Sequence, residues 1–391
     1  MGKLMNRSVR VLLVTKSTGG VAEYIRWLVQ GINRGKFSLL VVCLSENSPE
    51  FAEELRQVYD VQAISYAMNR YQVDVISDAR VCFQLARLIR EHQFDLVHAH
   101  ASKPGFLARI AALGTGIPVL YSPHCFAFHA GAGRMTILIT SFLERLAAFL
   151  TTRFVAVSEG ERELACQYRV GRQEQIAVIQ TGLDPAPYRL PVDIPYLKAS
   201  LGIPVSAPVI GSVGRLSAQK SPSDFVRVAE AVHRSKPDAH FVWVGDGPLE
   251  QDVRNLSTSL QLDSTIHWLG QRSDVQKLLH LFDCFILTSR WEGFPLVVLE
   301  AMAAGVPVVA TNILGTRELI QHGVNGWLAP ARDTESLAGL VLDLLTNPGK
   351  ADAFRQASQA RIENEFTRPR MLAMIQNLYE EVAIGMTCEI A

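Results

Sequence analysis

Short runs rich in Val, Ile and Leu alternate along this chain with longer stretches whose apolar residues recur at helical spacing, and the alternation happens twice. The runs predict strands at 10–15, 38–44, 95–99, 118–122, 153–157 and 175–179, and again at 209–213, 240–244, 265–268, 284–288 and 308–310. Strands that alternate with helices form parallel sheets covered on both faces. Between the two series, residues 184–208 carry six prolines and read as a connection between folding units. The expected architecture is α/β, with two tandem doubly wound, Rossmann-like domains at 1–188 and 208–366, a linker at 189–207 and a closing helix within 367–391. Ligands of such sheets bind beyond the carboxyl ends of the strands, so a cleft between two facing domains is the expected active site.

The longest apolar stretch, 135–150, is interrupted by Glu144 and Arg145 and is shorter than the roughly 20 residues that span a bilayer. With Ile137, Leu138, Phe142, Leu146 and Phe149 at helical spacing, it reads either as a core-packed helix or as an amphipathic one lying on a membrane. The first apolar run, 9–14, is too short for the core of a signal peptide, which places the protein in the cytoplasm.

Charge alters this picture only by half. Residues 1–190 hold 21 Lys and Arg against 16 Asp and Glu, a net of +5, and residues 191–391 balance it with −5. A mildly basic first half suits an anionic membrane surface, at the inner face, or a phosphate-bearing substrate. The charge is too weak and too scattered for nucleic acid. Six cysteines (43, 82, 125, 166, 284 and 388) form no close pair, which fits reduced thiols better than disulfides or a zinc site.

The chemistry concentrates in SRWEGFPLVVLEAMAAG, residues 289–305. Here Glu292 and Glu300 interrupt a segment that otherwise reads as core helix, and Glu300 sits among Val297, Val298, Leu299, Ala301 and Met302, so a polar group must meet it. Pro295 is expected at the first helical position, opening a helix whose N-terminus favours an anion such as phosphate. Upstream, GSVGRLSAQK places Arg215 and Lys220 five residues apart in a loop leaving a strand, a spacing that lets a fork and a point charge converge on a diphosphate. Solvent-exposed charge before a helix is the ordinary alternative. No Asp-x-Asp occurs in the chain. A G-x-G-x-x-G turn is also missing, since neither GGVAEY nor GSVGRL supplies one, which argues against a dinucleotide-dependent oxidoreductase.

The order of these pieces is GRL with Lys five residues after the Arg, then GDGP, EGFPLVVLEAMAAGVPVVAT, GTREL and NGWL. It closely resembles the retaining glycosyltransferases of family 4, which have the GT-B fold. The resemblance covers most of 205–330 and implies a sugar-nucleotide donor, a UDP- or GDP-sugar, with no cofactor and no metal. It implies that Arg215 and Lys220 hold the donor diphosphate, that Glu300 accepts the ribose hydroxyls, and that Glu292 contacts hydroxyls of the donor sugar. Gly293, Phe294, Pro295 and Leu296 would line the sugar pocket, and Arg272 would lie by the nucleobase.

In the first half, Gly19 and Gly20 match the family's glycine pair near the donor phosphate or acceptor. The segments with His98, His100 and Lys103 and with His124 are similar to those of members that build bacterial surface polysaccharides, which implies a saccharide or lipid-linked saccharide acceptor. His124 would stand near the donor sugar, and His98 reads as a packing residue. Two departures stand out: Cys125 follows the histidine where the family often has glycine, and Leu314 precedes Gly315 where a second glycine is usual. The last segment resembles the family's terminal helix that crosses back onto the first domain. A non-catalytic sugar-nucleotide-binding protein is the remaining alternative, against which the intact Arg215, Lys220, Glu292 and Glu300 argue.

Overall fold

The computed structural model describes residues 7–45, 49–69 and 74–389, with side chains to residue 385, so the side chain of Cys388 lies outside the described residues. The other five cysteines are free thiols. The chain divides into two units, Met1–Thr181 with Arg368–Ala391, and Gly182–Thr367.

The first unit is built on strands β1 (Val9–Lys16), β2 (Phe37–Ser45), β3 (Gln62–Ala67), β4 (Leu96–His100), β5 (Val119–Ser122), β6 (Arg153–Ala156) and β7 (Ile176–Val178). They pair in parallel in the order β3-β2-β1-β4-β5-β6-β7. Val11 through Val14 are fully buried, as expected of a central strand with helices on both faces. Leu12 and Val14 pack with Val42, Val81, Leu85 and Val97 in one of the core clusters. The last helix, Arg368–Glu389, belongs to this unit: Leu372 meets Gly31, and Tyr379 lies edge-on to Phe37.

The second unit repeats the plan with β8 (Val209–Val213), β9 (His240–Val244), β10 (Ile266–Trp268), β11 (Cys284–Leu287), β12 (Val308–Thr311) and β13 (Trp327–Ala329), parallel in the order β10-β9-β8-β11-β12-β13. Strands β3 and β13 were not among those expected. The proline-rich stretch lies with this second unit. It forms a 3₁₀ turn at Ala186–Tyr188 and a helix at Ile194–Ser200, whose N-terminus is capped by Asp193 through the Tyr196 N–H. In both sheets the strand order reverses beside the first strand, at β1/β4 and at β8/β11. Such a reversal opens a crevice beyond the carboxyl ends of those strands.

The apolar stretch 135–150 corrects one of its two readings. It forms the helix Arg134–Ala148, but Leu138, Phe142, Leu146 and Phe149 are exposed, so it is not a core helix. Among the described residues no helix is long and apolar enough to cross a membrane.

Candidate functional site

At the reversal in the second sheet, the loops that follow β8 and β11 are joined to each other. The first is fixed where it leaves β8, since Gly214 N–H donates to the Val244 carbonyl at 2.9 Å and the Trp243 indole N–H donates to the Gly214 carbonyl at 2.8 Å. Farther along, Lys220 Nζ lies 2.6 Å from Glu292 Oε1, and both side chains are largely buried. Ser289 Oγ donates to the same oxygen at 2.7 Å, and Gln219 Nε2 donates to Glu292 Oε2 and to the Trp291 carbonyl, each at 3.1 Å. The Arg290 N–H donates to the Gln219 carbonyl, and Thr288 Oγ1 to the Lys220 carbonyl. Both oxygens of Glu292 are thus occupied, while an ammonium has three N–H groups and Glu292 accepts from one. Arg215 is exposed on the same β8 loop.

Pro295 is the residue before the helix Leu296–Ala303, one position earlier than expected, and has extended backbone dihedrals. It has no polar side chain and makes no cap, so the first N–H groups of the helix have no side-chain acceptor from this position. Within this mostly buried helix, Leu296, Val297 and Glu300 are the partly exposed positions, and spacings of three and four residues put them on one face. The polar group that Glu300 requires includes Tyr188, whose hydroxyl donates to Oε1 at 3.0 Å. Gly293, Phe294 and Pro295 are buried, with Phe294 edge-on to Phe366. Gly315 presses on this loop: a Cβ there would stand 2.7 Å from the Glu292 carbonyl and 2.9 Å from that of Gly293. Arg272 is exposed and forks onto Asp274 with two bonds of 2.8 Å, so its guanidinium serves its own loop.

At the reversal in the first sheet the groups are neutral rings. His98 is fully buried, with Nδ1 2.7 Å from the Tyr379 hydroxyl and Nε2 2.9 Å from Ser122 Oγ, which is a satisfied packing role. His100 Nδ1 shares a hydrogen bond of 3.1 Å with His124 Nε2, and the other ring nitrogen of His100 is buried without a partner. Tyr24 stands edge-on to His124 at 4.9 Å. Burial holds all three imidazoles below their ordinary value, His98 and His124 well below and His100 at about 3. For His124 the charges of His100 and Lys16 push the same way.

His124 and Cys125 take consecutive positive φ values, 56° and 147°. The turn they form is held by Glu161, whose carboxylate accepts from the Val157 N–H at 2.9 Å and from the Cys125 N–H. Burial raises this carboxyl from 4.5 to about 7. Gly19 opens the helix Gly19–Gly31 after β1 with a φ of +68°, which glycine adopts without strain, and Gly20 follows it.

The structure therefore joins Lys220 with Glu292, places Arg215 on the loop after β8 and Glu300 on the helix after β11, and pairs the Arg272 guanidinium with Asp274. Tyr188, Gln219, Ser289, Tyr24 and Glu161 were not anticipated as site residues, and His100 was named only as part of a segment that shares the resemblance. Only Glu161 carried a usable sequence signal, the Ser-x-x-Glu spacing from Ser158 that opens a helix. No group of three or more His, Cys, Asp or Glu side chains able to hold a metal ion occurs among the described residues.

Comparison with known proteins agrees with this geometry. The profile of the Glycosyltransferase Family 4 domain matches residues 18–187, and that of Glycosyl transferases group 1 matches 193–361. The chain is 31% identical over 318 residues to the UDP-Gal:alpha-D-GlcNAc-diphosphoundecaprenol alpha-1,3-galactosyltransferase of Escherichia coli, a match covering 80% of this chain and 82% of that protein. It is 25% identical over 336 residues to the N-acetyl-alpha-D-glucosaminyl L-malate synthase of Bacillus anthracis, covering 84% and 86%. In fold it is similar to HepE of Anabaena, solved in complex with UDP and glucose, with a TM-score of 0.82 at 24% identity over 95% of this chain and 100% of that one. The sucrose-phosphate synthase of Thermosynechococcus elongatus gives the same TM-score at 16% identity, over 96% and 100%. With two parallel Rossmann-like units of the GT-B type and an E. coli relative above 30% identity across most of both chains, this protein belongs to the family 4 glycosyltransferases.

Proposed function

We propose that this glycosyltransferase moves a sugar from a nucleotide-diphosphate donor to a hydroxyl of a lipid-linked saccharide, with the anomeric configuration retained. The observation that carries the reading is the Lys220–Glu292 pair, 2.6 Å apart at the β8/β11 reversal, beside a helix start with no side-chain cap. A diphosphate arriving there meets the remaining N–H donors of Lys220, the fork of Arg215 and the N-terminus of the helix at Leu296. As the bond to the sugar breaks, negative charge grows on the leaving phosphate, and these fixed donors stabilise it more than they stabilise the bound donor. In this reading the chain's own cations take the part that a metal ion plays elsewhere.

Glu292, aimed by Ser289 and Gln219, accepts from hydroxyls of the donor sugar. Glu300 exchanges or shares the Tyr188 hydroxyl for those of the ribose. His124, kept neutral by burial, is a hydrogen-bond partner for a sugar hydroxyl rather than a charged acid. A phosphate oxygen of the leaving diphosphate takes the acceptor's proton on the face of the sugar from which the diphosphate departs, and the acceptor oxygen bonds to the anomeric carbon on that face. The E. coli relative's UDP-galactose donor and diphosphoundecaprenol acceptor, together with the UDP complex of the Anabaena fold neighbour, favour a UDP-sugar and a polyprenyl-diphosphate saccharide as first substrates to try.

The test is turnover of a UDP-sugar panel with a synthetic lipid-diphosphate saccharide, followed by mass spectrometry and by NMR of the new linkage. Arg215→Ala and Lys220→Ala should each lose on the order of 100-fold or more in turnover with their circular dichroism unchanged. An excess of chelator should leave the wild-type rate as it was. Near-normal turnover in both variants overturns the assignment, and an inverted linkage overturns retention.

A further inference from the structure

The helix Arg134–Ala148, between β5 and β6, has its apolar side outward. Leu138, Ile139, Phe142, Leu143, Leu146 and Phe149 are exposed, Phe149 by 89%, and at 100° per residue they form one continuous stripe. The inward side carries Ser141, Glu144 and Ala147. Glu144 is the helix's single acidic residue. Its carboxylate lies 2.8 Å from the buried Arg109 guanidinium and accepts from the Tyr121 hydroxyl at 3.2 Å, while Arg109 lies 4.0 Å over the Tyr121 ring. Rolling the helix to bury its apolar stripe would leave Arg109 in the interior without a counter-charge, so the outward orientation is fixed by the pair. The patch extends past this helix to Leu113, 59% exposed, which lines with Phe149 a surface cavity of about 400 Å³.

The charges beside the stripe indicate what covers it. Arg134 and Arg145, three turns apart and both exposed, fall on one flank of it, and neither has a carboxylate partner among the described residues. A two-fold copy laid against this helix would bring Arg134 towards the other copy's Arg145, with no exposed acid on the helix to answer either. Anionic lipid headgroups answer both, with acyl chains to receive Phe142, Leu146 and Phe149. We infer that the helix Arg134–Ala148 and Phe149 form a docking face for an anionic phospholipid bilayer, lying in its surface rather than crossing it. This face is independent of the proposed transfer reaction, and its test does not use turnover.

The full chain is sedimented with phosphatidylcholine vesicles, with and without phosphatidylglycerol. Binding is expected to the anionic vesicles, to be lost in Phe142→Glu/Leu146→Glu, and to weaken on the order of 30-fold in Arg134→Gln/Arg145→Gln, about a factor of five for each cation. The arginine variant changes only exposed groups and keeps the test open if the first variant fails to fold by circular dichroism. Absence of binding by the wild type, equal binding to both vesicle types, or unchanged binding by the arginine variant overturns the inference. So does a wild-type dimer in solution that becomes monomeric in Phe142→Glu/Leu146→Glu without any vesicle binding.

Discussion

In the second unit the groups gathered beyond the carboxyl ends of the strands are charged and answered one by one, Lys220 by Glu292 and Glu300 by Tyr188, in positions that keep only a small exposure. At the corresponding reversal of the first unit they are neutral rings with little or no exposure, His98 between Ser122 and Tyr379 and His100 against His124. The two arrangements suit different ligand chemistry. Charges already paired with each other exchange partners with an incoming diphosphate or diol, whereas buried imidazoles held uncharged offer directional hydrogen bonds. The second arrangement carries a liability, because the unfolded chain can protonate those rings and the folded one cannot.

The largest expected effect exposes that liability. For His100 the folded value is about 3 and the ordinary one 6.5, so below pH 6.5 the unfolded chain binds a proton that the folded chain refuses, and stability falls as pH falls. Such a ring contributes a slope of about 1.4 kcal/mol per pH unit while the pH lies between its two values, and His98, held well below its ordinary value by burial, acts in the same direction. Glu161 acts in the opposite sense. Its folded value of about 7 lies above the ordinary 4.5, so the folded chain holds the extra proton in that window and offsets about 1.4 kcal/mol per unit. Glu161 offsets one ring, and His98 and His124, which act in the same direction as His100, leave a net loss of stability as pH falls from 6.5 to 4.5. Urea midpoints measured between pH 7.5 and 5 should decline accordingly, and His100→Gln should flatten the decline. A midpoint indifferent to pH would mean that the rings titrate as exposed histidines do.

The second unit is sensitive instead to the position of its backbone. Gly315→Ala places a methyl under 3 Å from two carbonyl oxygens of the loop that carries Glu292. Neither oxygen ends a flexible side chain, so the loop itself must shift, and overpacking of this kind costs about 1–3 kcal/mol. A lower melting temperature with a raised KM for the donor is expected. If both are unchanged, Gly315 does not set the position of Glu292.

How much of this could be read beforehand follows from the same contrast. Central strands such as β1 and β8 carry short apolar runs, Val11–Val14 in the one and Val209, Ile210 and Val213 in the other, because both faces are covered, and they were legible. Strand β3, half-exposed at a sheet edge, and β13, three residues long, lack that signature. In the site, Arg215, Lys220, Glu292 and Glu300 stood out because charge within apolar sequence is conspicuous. Ser289 and Gln219 are ordinary polar residues with no such contrast, and Tyr188 reaches Glu300 across 112 positions of sequence. The outward face of Arg134–Ala148 was ambiguous for another reason: helical periodicity is the same whichever side is buried. The contact of Glu144 with Arg109 decides the side, and it is a tertiary fact.

The smallest effect tests the turn at His124 and Cys125. Cys125 has a φ of 147°, a region that favours glycine, the residue that the family resemblance leads one to expect after this histidine. Holding a side chain there costs on the order of 1–3 kcal/mol. Cys125→Gly would relieve that cost and incur the greater entropy that glycine gives the unfolded chain, roughly 0.5–1 kcal/mol. The strain is the larger quantity, so the substitution is expected to stabilise the protein by about 1 kcal/mol, read as a higher urea midpoint at unchanged m-value. The Cys125 N–H remains in the variant and still donates to Glu161, so the pH dependence should persist. Destabilisation by Cys125→Gly would instead mean that the thiol's packing outweighs the strain, and that the departure from glycine is itself an adaptation of this turn.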